Sequence, residues 1–176
     1  VANSRAAAVL LPERGRAVWT RVAGLPCLVP LDDHVGRAIF LTGDLDPKVT
    51  WVIRRCLRPG DTALDIGANL GLCTLRMAAL VGGEGRVLAF EPSPPTLAYL
   101  RATLEANAGL PVDLHSTALG AAAGRAVLSM SPGNAGMATL LDRPATATET
   151  HEVEVARLAD RLAVAGVKRV AFAKID

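Results

Sequence analysis

The residues with the clearest chemical potential sit in the stretch "ALDIGANLG", Ala63 to Gly71. Gly67 and Gly71 permit a positive φ and let a ligand approach the main chain closely, and Asp65 stands just before them. A dinucleotide turn of the form G-x-G-x-x-G needs a middle glycine to admit the pyrophosphate. Here Ala68, Asn69 and Leu70 fill the space between Gly67 and Gly71, so a ligand without a pyrophosphate suits the turn better. A carboxylate at Asp65 would repel a phosphate and attract an amino group, such as that of a methionine moiety.

Glu91, in "LAFEP", is the second informative acid. It ends an apolar run, the position from which a carboxylate reaches both ribose hydroxyls of an adenosine cofactor. That feature serves NAD and S-adenosylmethionine alike. Asp176 closes the apolar run "RVAFAKI" and is the general-base candidate its position recommends. A carboxylate is a weak base for an alcohol, so Asp176 has the alternative role of orienting the hydroxyl or the cofactor's amino group.

These residues need elements to hold them. From Thr62 onward the chain reads as strand "TALDIG", helix "NLGLCTLRMAALVG", strand "RVLAFEP", helix "PPTLAYLRATLEANAG" and strand "VDLHSTAL". Prolines open the second helix and Gly109 stops it. Strands alternating with helices over short connections predict parallel strands with right-handed crossovers, hence a doubly wound, mostly parallel α/β sheet. Beyond Gly120 the segments "AVLSMSP", "GMATLL" and "HEVEVARL" read as an extended hairpin insertion, followed by a helix "ADRLAVAG" and the strand "RVAFAKI". Residues 1–58 read as an N-terminal extension or cap and 59–176 as the cofactor-binding domain. Within the cap, "LPCLVPLDD" and "RAIFLTGD" are expected as short strands and "PKVTWVIRRCL" as a helix opened by Pro47. The final apolar strand would leave an unpaired sheet edge, which favours a longer parent protein, incomplete here at its C-terminus, or pairing with another chain as a homo-oligomer.

A chain of 176 residues, 51% hydrophobic, can bury one substantial core. Its formal charge of +2 gives no bulk support to a nucleic-acid or membrane partner. No apolar run approaches the roughly 20 residues of a membrane span. Cys27, Cys56 and Cys73 are odd in number and scattered, which points away from a disulfide framework and toward the cytosol. His34, His115 and His151 lack paired metal-ligand spacing, so no metal is expected. Trp19 and Trp51 are expected to be packing anchors, and Cys73 a small core residue.

Taken together, "DIGANLG", "FEPSPPTLAYLRATLEAN", the upstream "PLDD" and "GDLDP", and the closing "AFAKID" resemble the FkbM family of S-adenosylmethionine-dependent methyltransferases. The resemblance runs from about Pro30 to Asp176. It implies a class I, Rossmann-like methyltransferase fold and O-methylation of a hydroxyl on a small molecule or glycan. It implies cofactor binding by Asp65, Gly67, Ala68, Asn69, Gly71 and Glu91. Asn134 and Gly136 match the family's small-residue loop near the substrate, and Asp176 the aspartate of its "KID" strand end. The family pattern continues past that point, so the chain is expected to stop within the family's domain. Competing readings are a noncatalytic fragment that keeps the cofactor turn, a nucleotide-dependent oxidoreductase, which the absent middle glycine disfavours, and a nucleic-acid methyltransferase.

Overall fold

The computed structural model describes residues 16–131, 134–140 and 149–176, and the side chains of 131–138 lie outside that description. The chain opens with an antiparallel hairpin of β1 (Ala17–Val22) and β2 (Leu25–Pro30). Helices α1 (His34–Thr42) and α2 (Pro47–Cys56) follow. The central elements are β3 (Thr62–Ile66), α3 (Leu72–Val81), β4 (Arg86–Phe90), α4 (Pro94–Glu105) and β5 (Val112–His115). After them come β6 (Ala118–Leu119), β7 (Gly124–Ser131), β8 (Asn134–Thr139), β9 (Glu149–Ala156), α5 (Leu158–Val164) and β10 (Phe172–Ile175).

The main sheet has the order β10-β3-β4-β5 and is parallel throughout. From β3 the chain steps outward one way through β4 and β5, then returns to place β10 on the other side. The strand order therefore reverses between β3 and β10, and the crevice at their carboxyl ends is where such sheets bind ligands. Side-chain alternation sorts the strands onto two faces. Ala63 and Val87 pack with Met77, Ala78 and Val81 of α3 and with Ile53 and Leu57, while Leu64, Leu88 and Phe90 pack with Leu158 and Leu162 of α5. Helices on both faces make the fold doubly wound, as the alternating sequence predicts.

Residues 16–58 share this core. Val22, Cys27, Val29, Val35 and Ile39 cluster with Leu70, Leu72 and Leu75, which ties the hairpin and α1 to the start of α3. The stretch "RAIFLTGD" is helical, not the expected strand. Asp33 caps α1 by accepting from the Gly36 N–H at 3.0 Å, Val35, Ala38 and Ile39 form its buried stripe, and Gly43 ends it at a φ of 67°. "VDLHSTAL" is not one strand either: β5 belongs to the main sheet, and β6 leaves it to join a second sheet of order β6-β9-β7-β8. That second sheet contains the expected hairpin insertion. Trp19 and Trp51 are 53% and 62% exposed, so they are not the packing anchors expected of them.

Candidate functional site

Asp65 is the fourth residue of β3 and shares a sheet face with Ala63, turned toward α3. It is fully buried. Its Oδ2 accepts from the Thr74 hydroxyl at 2.6 Å, and its Oδ1 lies 3.4 Å from Lys174 Nζ without accepting a hydrogen bond among the described residues. Lys174 is the register partner of Asp65 across the β10–β3 ladder, so the two side chains start from adjacent points on one face. Its ammonium also donates to the Gly67 carbonyl at 2.7 Å and pairs with Asp176 Oδ2 at 2.6 Å. Burial pushes the Asp65 carboxyl above its ordinary value, against the pull of Lys174 and Thr74. For Lys174 burial works downward, but the charges of Asp65 and Asp176 outweigh it and the ammonium titrates above its usual range.

The turn after β3 is held from behind. The N–H groups of Gly67 and Ala68 both donate to the Phe90 carbonyl at 2.9 Å. The Asn69 N–H donates to Glu91 Oε2 at 2.8 Å, and the Ser93 N–H to Glu91 Oε1 at 2.8 Å. Gly67, Asn69 and Gly71 all have positive φ, 78°, 51° and 90°. These departures from helical geometry delay α3 to Leu72, later than the expected start at Asn69. A Cβ on Gly71 would meet Leu100 Cδ1 at 2.7 Å, and one on Gly67 would meet Asp176 Cβ at 3.2 Å. Glu91 lies just beyond β4 and is buried, which pushes its carboxyl up despite the two main-chain donors. Each oxygen keeps a lone pair for a ribose hydroxyl.

Two cavities flank this turn. One, of about 420 Å³, is lined by Ile66, Phe90, Glu91, Pro92, Thr117 and Leu119 and closed above by Leu128, Thr139 and Leu140 of the insertion. The other, of about 310 Å³, lies against Val35 and Ile39 of α1, Val49 and Thr50 of α2, and Lys174. Gly67, Asn69 and Asp176 line both. Asp176 follows β10, and its N–H donates to the Ile66 carbonyl at 3.1 Å, which sets its side chain at the crevice. Both cavities fall within or near the size of small-ligand sites, and their shared wall suits an elongated molecule with an adenosine at one end and an amino acid at the other.

The model of the Methyltransferase FkbM domain matches residues 65–176, more than half of the chain. The chain belongs to the FkbM methyltransferase family. The FkbM assignment carries with it the S-adenosylmethionine-dependent methyltransferase class, and the polar wall of the two cavities fits that cofactor. Among curated relatives, the chain is similar to Methyltransferase 1 of Beauveria bassiana, 31% identical over 67% of this chain and 55% of that protein. It is also similar to ribosomal RNA large subunit methyltransferase E of Sorangium cellulosum, 35% identical over 38% of this chain and 29% of that protein. The chain thus spans about half or less of the length of these relatives. A solved S-adenosylmethionine-dependent methyltransferase from Aquifex aeolicus is 19% identical, with 42% of this chain and 48% of that one covered at a TM-score of 0.36.

Of the residues singled out in the sequence, Asp65, Gly67, Ala68, Asn69, Gly71, Glu91 and Asp176 converge at the end of the β3–β10 crevice. Asn134 and Gly136, expected in a loop, lie in β8, where Asn134 pairs with Ser131 and Thr139 with Ser129. The pairing with β7 is antiparallel with a register shift between Ser129 and Ser131, and the side chains of Asn134 and Gly136 are outside the description. The functional residue that sequence reasoning missed is Lys174. Its signal was a lone charge inside the apolar run "VAFAKI". No helix among the described residues is long and apolar enough to cross a membrane.

Proposed function

We propose that this FkbM domain binds S-adenosylmethionine across the two cavities and directs its methyl group to a hydroxyl of a small molecule or glycan. The observation that carries the reading is the shared wall of Gly67, Asn69 and Asp176. With the adenosine beside Glu91 and the methionine end against α1 and α2, the reacting centre falls at that wall. Residues 16–58 then act as a cap over the methionine end, and Gly67, Ala68 and Asn69 of the turn form the cofactor-binding face with Glu91, with Asp65 and Gly71 behind them. Asn134 and Gly136, through β8, lie on the insertion that roofs the adenosine side and would help to select the acceptor.

The bound cofactor supplies an electrophilic methyl on a sulfonium. The chain's own part is to orient: holding nucleophile and methyl at near-attack distance is worth roughly 7–11 kcal/mol. Asp176, lining both cavities and anchored through Oδ2 to Lys174, presents its carboxylate to an incoming hydroxyl. There it can accept the hydroxyl proton or align the oxygen. Three free cysteines, Cys27, Cys56 and Cys73, fit a cytosolic setting.

A nucleic-acid hydroxyl is a second reading, and a feature of α2 favours it. Lys48, Trp51, Arg54 and Arg55 are exposed along one solvent face, the Arg55 guanidinium lies 5.8 Å from the Trp51 ring centroid, and the helix carries no acid. The near-neutral total charge hides this local patch, and aromatic and basic groups side by side suit a phosphate backbone with stacked bases. Labelled methyl transfer from S-adenosylmethionine to a panel of sugars, small alcohols and single-stranded RNA separates the two readings. Transfer to the small hydroxyls alone supports the first. Transfer to RNA that Trp51→Ala and Arg55→Ala abolish supports the second, and the lack of transfer to any acceptor by a chain that binds the cofactor refutes both.

A further inference from the structure

We infer that Lys174 is the standing counter-cation of Asp65 and the positioning residue for Asp176, so that Asp65 acts on the cofactor through Lys174 and does not touch it. The inference rests on the S-adenosylmethionine reading of the site. Asp65 lines neither cavity and has no accessible surface, whereas Lys174 and Asp176 line the cavity beside α1 and α2. One Asp65 oxygen is taken by Thr74, and the other faces Lys174. The amino group that the acid before the turn attracts is already in the protein. It arrives from a strand 109 positions later in the chain through direct register pairing of Lys174 with Asp65.

Lys174 meets three groups inside the site: the Gly67 carbonyl, to which it donates at 2.7 Å, Asp176, with which it pairs at 2.6 Å, and Asp65, whose Oδ1 lies 3.4 Å from the ammonium. Through the first it sets the carbonyl of the cofactor turn, and through the second it sets the carboxylate at the junction of the cavities. The two carboxylates and one ammonium leave a single net negative charge, carried to the wall that both cavities share by Asp176, where the cofactor's positive centre would lie. A buried Asp65 without this partner would be a costly isolated charge, whereas Lys174 without Asp65 keeps Asp176 and the Gly67 carbonyl.

Isothermal titration with S-adenosylmethionine and with S-adenosylhomocysteine, which lacks the sulfonium charge, tests this on the wild type, Asp65→Asn, Lys174→Met, the double variant and Glu91→Ala. We expect each single change at Asp65 or Lys174 to weaken S-adenosylhomocysteine about tenfold, and the double variant to be no weaker than either single, because the pair is removed together. The preference for the sulfonium ligand should rise by about threefold or more in Lys174→Met, fall in Asp65→Asn and return toward wild type in the double variant, the pattern of a unit charge near the ligand. A role confined to folding would shift both ligands alike. Independent, multiplying losses in the double variant, or an unchanged ligand preference in all variants, overturn the inference while leaving the cofactor reading standing. No binding by the folded wild type, or wild-type binding by Glu91→Ala, overturns the cofactor reading and this inference with it. If Lys174→Met does not fold, Lys174→Gln, which keeps a donor for the Gly67 carbonyl but no charge, takes its place in the cycle.

Discussion

The main-chain N–H of Asn69 donates to Glu91 Oε2 at 2.8 Å, across 22 residues of chain. The residue that would hold the ribose thus also holds the turn proposed to receive the methionine end. Glu91 in addition accepts from the Ser93 N–H, so its loss orphans two donors, one of them buried. Glu91→Ala should therefore lower unfolding free energy by about 2 kcal/mol or more as well as weaken S-adenosylhomocysteine binding. Urea unfolding beside titration checks this. A variant as stable as the wild type would mean that water replaces the carboxylate on both donors.

Gly71 carries two constraints at once, a φ of 90° and a neighbour, Leu100 Cδ1, that an added Cβ would meet at 2.7 Å. Gly43 is left-handed too, at a φ of 67° and a ψ of 6°, and an added Cβ there would meet only the Arg21 carbonyl oxygen, at 4.0 Å. Gly71→Ala should cost about 1–3 kcal/mol, and Gly43→Ala less, because both are left-handed but only the first adds a clash to the backbone strain. Equal losses by urea unfolding would show that Leu100 yields freely and backbone conformation sets the whole cost.

Arg76 fastens the cap. From α3 it pairs with Asp44 at 3.0 Å, donates to the Gly43 carbonyl at 2.6 Å and contacts the Thr50 hydroxyl. It thereby holds the link between α1 and α2 over the cavity that both helices line. Arg76→Met should destabilise by about 2 kcal/mol and weaken cofactor affinity several-fold although Arg76 lines neither cavity. Destabilisation with unchanged affinity would separate the cap from the methionine end.

Glu91 also makes binding depend on pH. Burial holds its carboxyl above the ordinary value, with the Ser93 and Asn69 N–H groups pulling the other way. Ribose hydroxyls donate to the ionised form, so affinity is full above the free chain's pKa and is lost as pH falls through it. The folding contribution runs oppositely: with the folded value above the unfolded one, it is present below the unfolded pKa and lost as pH rises through the folded pKa. S-adenosylhomocysteine affinity should fall as pH is lowered from neutral toward the ordinary carboxylate range, with a shallower slope in Glu91→Gln. Parallel slopes would assign the loss to another group.

The alternating elements from Thr62 to Gly109 and the turn from Asp65 to Gly71 were legible because their signals are local. Period-two and period-3.6 apolar patterns, prolines at helix starts and glycines at positive φ act within a few residues. The same locality misled the reading of "RAIFLTGD", where β-branched and aromatic residues suggest a strand. There the Asp33 cap and a buried stripe against Val22, Val29 and Leu75 decide for α1. It also misled the reading of "VDLHSTAL", which no local signal divides; the pairing of β6 with β9, a strand more than thirty residues away, pulls its end out of the main sheet.

Sequence alone determined that an acid precedes a glycine turn and that a second acid follows the next strand, which is enough to point to an adenosine cofactor. What those acids face was decided by the tertiary structure. Asp65 meets Lys174 only because β10 returns beside β3 in parallel register, and Glu91 meets Asn69 only because β4 carries it to the same sheet edge. Parallel pairing joins residues far apart in the chain, and no pattern within either segment encodes its partner.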